Sequence, residues 1–108
     1  VSFIVKETIS TEDILKNIQD KDRYIIFGYA TMCKTCDISE TMLQVVTETK
    51  QLSYERINLN YYKGLIDQYQ IRSAPALLLF KKGKLVQEVY AFQSVTYLNE
   101  VLEDFLVD

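Results

Sequence analysis

Histidine is absent from this chain of 108 residues. With it go the side chain that titrates near neutral pH and the commonest metal ligand. Serine–histidine and cysteine–histidine catalysis are therefore excluded, as are histidine-based zinc sites. The chain has one proline and two cysteines, so it is not a disulfide-dense secreted scaffold. Its longest apolar run, Ala74 to Phe80, falls far short of the roughly twenty residues a bilayer span needs, and no membrane partner is expected. No basic segment followed by an apolar stretch opens the chain, so no secretory leader is expected in it and a cytoplasmic location is. Twelve basic residues against fifteen acidic ones leave a net charge of −3. No Lys/Arg stripe exists to neutralise phosphates, which argues against nucleic acid as a partner.

What is present is apolar and regularly spaced. At 48% hydrophobic the chain can bury a real core, and residues 1–108 are expected to form one domain. No repeat, low-complexity segment or linker interrupts it. Ser2-Phe3-Ile4-Val5 is short and β-favouring. Ser10, with Asp13 three residues on, resembles a capping box, and Ile14, Leu15 and Ile18 give a first helix an apolar face. Arg23 to Tyr29 reads as a buried strand. After the cysteines, Ile38, Met42, Leu43, Val45, Val46 and Thr49 recur at helical spacing to about Leu52. Tyr54 to Asn58 alternates like a strand, and Leu65, Ile66 and Tyr69 mark a short helix.

A second buried strand runs from Ala76 to Lys81, then a tight Lys82-Gly83 turn, with Leu85, Val86, Val89 and Tyr90 as the hairpin partner. Leu98, Val101, Leu102 and Phe105 give a last helix from about Ser94 to Val107. The order βαβαβαββα predicts an α/β fold: a mixed five-stranded sheet with helices on both faces. The tyrosines read as strand and helix-face residues, with Tyr61 and Tyr62 covering a loop.

Cys33 and Cys36, with Lys34 and Thr35 between them, follow the strand that ends at Tyr29 and open the next helix. A helix N-terminus carries unpaired N–H groups and partial positive charge, which favour a thiolate. Lys34 adds charge of the same sign. Cys33 is then the exposed attacking sulfur and Cys36 the shielded resolving one. The alternatives are weaker. Structural zinc or an iron–sulfur cluster needs ligands that only a second chain or carboxylates would supply, and a structural disulfide around so small a loop adds little stability. No metal site and no added cofactor are expected. Pro75, the single proline, sits in Ile71-Arg72-Ser73-Ala74-Pro75-Ala76-Leu77, where it suits the first residue of a buried strand.

A CxxC pair at a strand-to-helix junction, followed some forty residues later by Ile71 to Lys84 (IRSAPALLLFKKGK), resembles the thioredoxin family. The resemblance covers nearly the whole chain and implies the thioredoxin fold. It matches Cys33 to the family's nucleophile and Cys36 to its resolving cysteine. Pro75 matches the proline packed beside the disulfide, which implies a cis Ala74–Pro75 bond and a substrate segment paired with the backbone of Ala74. Tyr29, Ala30, Thr31, Met32, Ser73 and Ala91 are then expected to line a shallow apolar surface around Cys33, with Lys34 and Thr35 tuning the couple.

The chain departs from the family pattern at several positions. Met32 replaces the usual tryptophan, and Lys34-Thr35 replaces Gly-Pro. Phe27 stands at the position of the family's buried acid, Arg56 at that of its lysine, and Thr41 at that of a helix proline. Resolution by Cys36 is therefore expected to be slow unless water or another group supplies the base. The expected function is thiol–disulfide exchange with protein disulfides, as a monomeric reductase fed by a thioredoxin-reductase-like donor. A glutaredoxin-like activity, an adaptor with idle cysteines and a redox sensor are the competing readings.

Overall fold

A computed structural model describes residues 9–107. The first helix, α1 (Thr11–Asp20), starts where Ser10 accepts a hydrogen bond from the Asp13 amide at 3.0 Å. Glu12 and Asp13 place negative charge in its first turn, against the positive end of the helix. Ile14 and Ile18 are its buried face.

Strand β1 (Arg23–Tyr29) follows, then α2 (Cys36–Lys50), β2 (Glu55–Asn58), a 3-10 turn over Leu59–Tyr61, α3 (Lys63–Tyr69), β3 (Ala76–Lys81), β4 (Lys84–Val89) and α4 (Val95–Leu106). Among the described residues four strands are ordered β2-β1-β3-β4. The β1–β2 pair is parallel, and the β1–β3 and β3–β4 pairs are antiparallel, so the sheet is mixed. The strand expected over Ser2 to Val5 lies outside the described residues. No helix among them is long and apolar enough to cross a membrane.

Alternation along β1 and β3 sorts the core into two layers. Tyr24, Ile26, Leu78 and Phe80 pack with Ile14 and Ile18 of α1 and Leu65 of α3. Ile25, Phe27, Leu77 and Leu79 pack with Leu43 and Val46 of α2 and with Leu98, Val101, Leu102 and Phe105 of α4. The far end of α4 is tied to the sheet by Arg23, whose guanidinium donates to the carbonyls of Phe105 and Leu106 at 3.1 Å each. Orphan carbonyls at that helix end are satisfied in this way.

Helix α2 ends before the expected Leu52, and the ends of the other elements have local causes of the same kind. Helix α2 stops at Lys50 because Gln51 turns left-handed (φ 58) and the Leu52 amide bonds back to Thr47 at 2.8 Å. Gln70 ends α3 in the same conformation. Lys82 and Gly83 both have positive φ (53 and 85), the pairing that suits a two-residue hairpin turn. Tyr62 does not cover a loop. It is 1% exposed in the α1–α3 layer, and its hydroxyl donates to the Ile9 carbonyl at 2.6 Å.

Gly28 pairs with Ile57 on one side and Ala76 on the other. A Cβ there would fall 2.8 Å from Leu59 Cγ. Gly28→Ala is therefore expected to destabilise the fold by about 1–3 kcal/mol through overpacking, seen in urea unfolding as a lower midpoint with an unchanged m-value.

Candidate active site around Cys33 and Cys36

Strand β1 delivers the chain to a turn that β2 holds in place. Asn60 Oδ1 accepts from the Thr31 amide at 2.8 Å, and Asn58 Nδ2 donates to Thr31 Oγ1 at 3.2 Å. Asn58 Oδ1 in turn accepts from the Asn60 amide at 3.0 Å. Beyond this clamp, Cys33 and Cys36 are joined by a disulfide, with Cα atoms 5.5 Å apart. Only Cys36 belongs to the helix: it is the first residue of α2 and 5% exposed. Cys33 sits in the preceding turn and is partly exposed, a correction to the expectation that both cysteines open the helix. Thr35, at the N-cap position, makes no side-chain cap bond. Its hydroxyl lies 4.0 Å from Cys33 Sγ instead.

The segment before β3 comes alongside. The Ala74–Pro75 peptide is cis, and Pro75 is buried. Next to it an open cleft of about 450 Å³ is walled by Ala30, Leu59, Asn60, Lys63, Ile66, Ile71, Arg72, Ser73 and Ala74. Of the surface expected around Cys33, the cleft brings together Ala30, Ser73 and Ala74. Tyr29, Thr31, Met32 and Ala91 are not in its walls. Tyr29 lies under the guanidinium of Arg56, 4.1 Å from the ring centroid, and Met32 is 92% exposed. Ala91 is exposed beyond the end of β4, and Lys34 and Thr35 are exposed on the turn.

The interior is aromatic where the family pattern would place an acid. Phe27 is fully buried and meets Tyr54 and Phe92 edge-on, at 6.1 and 5.9 Å between centroids. A carboxylate is nevertheless present nearby, one turn along α2 from Cys36. Glu40, 9% exposed, accepts from the Tyr54 hydroxyl at 2.7 Å and from Arg56 Nε at 3.0 Å on both oxygens. Sequence reasoning missed this residue. The signal lay in the spacing: Cys36, Glu40, Leu43 and Thr47 form a buried stripe on α2, so Glu40 sits on the apolar side of the helix. Thr41, at the family's proline position, leaves the helix intact and bonds back to the Asp37 carbonyl at 2.9 Å.

The cluster shifts its members' titration. Burial, then the hydrogen bond and charge of Glu40, push the Tyr54 phenol up to about 12. Burial pulls Arg56 down, but the hydrogen bond and charge of Glu40 outweigh it and the net shift is upward.

The thioredoxin family model, described as "Thioredoxin", matches residues 5–104. The chain is 41% identical over 93 residues to the thioredoxin-like protein YusE of Bacillus subtilis, covering 85% of this chain and 87% of that one. Among solved structures, a mutant thioredoxin from Halobacterium salinarum aligns with a TM-score of 0.77 at 25% identity, covering 92% of this chain and 89% of the other. The oxidised thioredoxin of Plasmodium falciparum aligns at 0.78 with 16% identity, covering 96% and 100%. That last likeness speaks for the fold alone.

The raised phenol of Tyr54 fixes a direction for stability against pH. Folded Tyr54 holds its proton up to about 12, whereas its ordinary value is 10.0. Its contribution is whole below that ordinary value and is lost as the pH rises toward the folded one, because the unfolded state ionises first. Urea unfolding across this alkaline range is expected to show falling stability, and Tyr54→Phe to remove part of the slope.

Proposed function

The chain belongs to the thioredoxin family, and from that premise we propose that it is a thiol–disulfide oxidoreductase that reduces protein disulfides. The observation that carries this reading is the asymmetry of the cysteine pair. Cys33 is partly exposed on a turn, and Cys36 is buried at the first position of α2. An exposed sulfur can meet a substrate, and a shielded partner can close the reaction.

In this reading the Cys33 thiolate attacks a substrate disulfide, displacing one substrate thiolate and leaving a mixed disulfide. Cys36 then attacks Cys33 Sγ and releases the second substrate thiolate as the Cys33–Cys36 bond closes. The free amides at the start of α2, the charge of Lys34 and the Thr35 hydroxyl 4.0 Å from Cys33 Sγ all favour the thiolate form of Cys33. An extended substrate segment docks with its backbone against Ala74 beside Pro75, and its side chains fall in the cleft lined by Ala30, Ser73 and Ala74. Met32, exposed on the turn, meets the substrate as a flexible apolar contact. A thioredoxin-reductase-like protein returns the electrons. The chain works as a monomer in the cytoplasm, with its own dithiol as the only redox group.

Insulin-reduction turbidity tests the activity. Turnover is expected in the wild type and only the uncatalysed background in Cys33→Ser, while Cys36→Ser is expected to trap substrate covalently on Cys33. Equal turnover in wild type and Cys33→Ser rules the reading out. Alkylation of the reduced protein is expected to place the Cys33 thiol below the ordinary value of about 8.5, and Thr35→Val to move it upward.

A further inference from the structure

We propose that Glu40 is the group that takes the proton from Cys36 when Cys36 resolves the mixed disulfide. The inference rests on the exchange reaction above and adds a proton acceptor that the chain's Phe27 cannot supply.

The need for an acceptor follows from burial. Cys36 is 5% exposed, and a thiol in apolar surroundings resists ionising. Solvent has little access to it, and Phe27, at the family's acid position, offers only hydrocarbon. Glu40 lies four residues further along the same helix and is itself 9% exposed. Residues at that spacing are neighbours on one helix face, with Cβ atoms about 5–6 Å apart. A glutamate spans that gap directly or through one water.

The ionisable groups that face Glu40 are Tyr54 and Arg56 from the β2 side, with Tyr29 of β1 under Arg56; on its own helix Cys36 and Asp37 stand at neighbouring spacing. Tyr54 and Arg56 hold the carboxylate from one side without exhausting it. Oε2 accepts from both, while Oε1 accepts only from Arg56 Nε. A carboxylate offers about four acceptor positions, so Oε1 keeps room for a thiol proton.

In the mixed disulfide, the Cys36 thiol gives its proton to the Glu40 carboxylate. The Cys36 thiolate attacks Cys33 Sγ, the Cys33–Cys36 bond forms, and the bond from Cys33 to the substrate sulfur breaks. The electron pair leaves on the substrate thiolate, which is reprotonated from Glu40 through solvent. Over both steps, two electrons pass from the protein dithiol to the substrate disulfide.

A mere bystander charge predicts the opposite behaviour. A fixed anion beside a thiol disfavours the thiolate, so removing it accelerates resolution. Removing a proton acceptor slows it.

The test mixes reduced protein with a nitrobenzoate disulfide dye in stopped flow. One coloured thiolate appears when Cys33 attacks and a second when Cys36 resolves. In Glu40→Gln the second phase is expected to slow about a hundredfold at neutral pH and to rise in proportion to hydroxide. Glu40→Asp, which keeps the charge, is expected to recover most of the loss. Arg56→Gln, a second variant should Glu40→Gln fold poorly, removes the donor that holds both carboxylate oxygens in place. It is expected to slow the second phase and leave the first unchanged. A second phase in Glu40→Gln as fast as or faster than the wild type, or one unslowed in Arg56→Gln, overturns the proposal. A wild type that releases only the first thiolate counts against the exchange function itself.

Discussion

Strand β1 is the constraint from which the site hangs. It is buried on both faces and paired on both edges, and its register leaves its neighbours little freedom. Tyr29 lies opposite Asn58 of β2, and Gly28 lies opposite Ala76 of β3. The first pairing brings Asn58 and Asn60 to the turn that carries Cys33. The second brings the Ala74–Pro75 segment beside the same turn. Three stretches far apart in sequence thus meet because the carboxyl ends of β1 and β2 and the amino end of the antiparallel β3 lie at one end of the sheet.

The two core layers differ in what they carry. The layer under α1 and α3 is sealed by aliphatic and aromatic packing, with the Tyr62 hydroxyl satisfied by a carbonyl. The layer under α2 and α4 holds the cysteines at one end, and there a charged pair intrudes. A buried ion pair is costly when both partners leave water. In the Glu40–Arg56 pair the burden is uneven: the Glu40 side chain is 12% exposed and that of Arg56 50%. The cation keeps much of its hydration while the acid is clamped, and Tyr54 supplies the acid's remaining donor.

Much of this was legible in the residues. The apolar runs of β1 and β3 and the spacing of Leu98, Val101, Leu102 and Phe105 name their elements, because hydrophobic period and secondary structure are linked directly. The thioredoxin resemblance followed from Cys33, Cys36 and Pro75 standing in the right order. What escaped depends on contacts rather than on pattern. Gln51 and Gln70 end helices in a conformation that glycine usually signals, so their identity gave no warning. Tyr62 is buried because the 3-10 turn at Leu59–Tyr61 folds it under α3. Glu40 is a charge on the apolar side of α2, and it is seated there by Arg56 of β2 and by Tyr54 just before that strand.

Cys36 and Glu40 share one continuous helix, whereas the family pattern puts its acid on a neighbouring strand. Any rigid shift of α2 against the sheet carries the sulfur and the carboxylate together. Their separation is set by helical pitch rather than by how helix and sheet are docked. The sheet beneath can then change its side chains, as it has at Phe27, without retuning that distance.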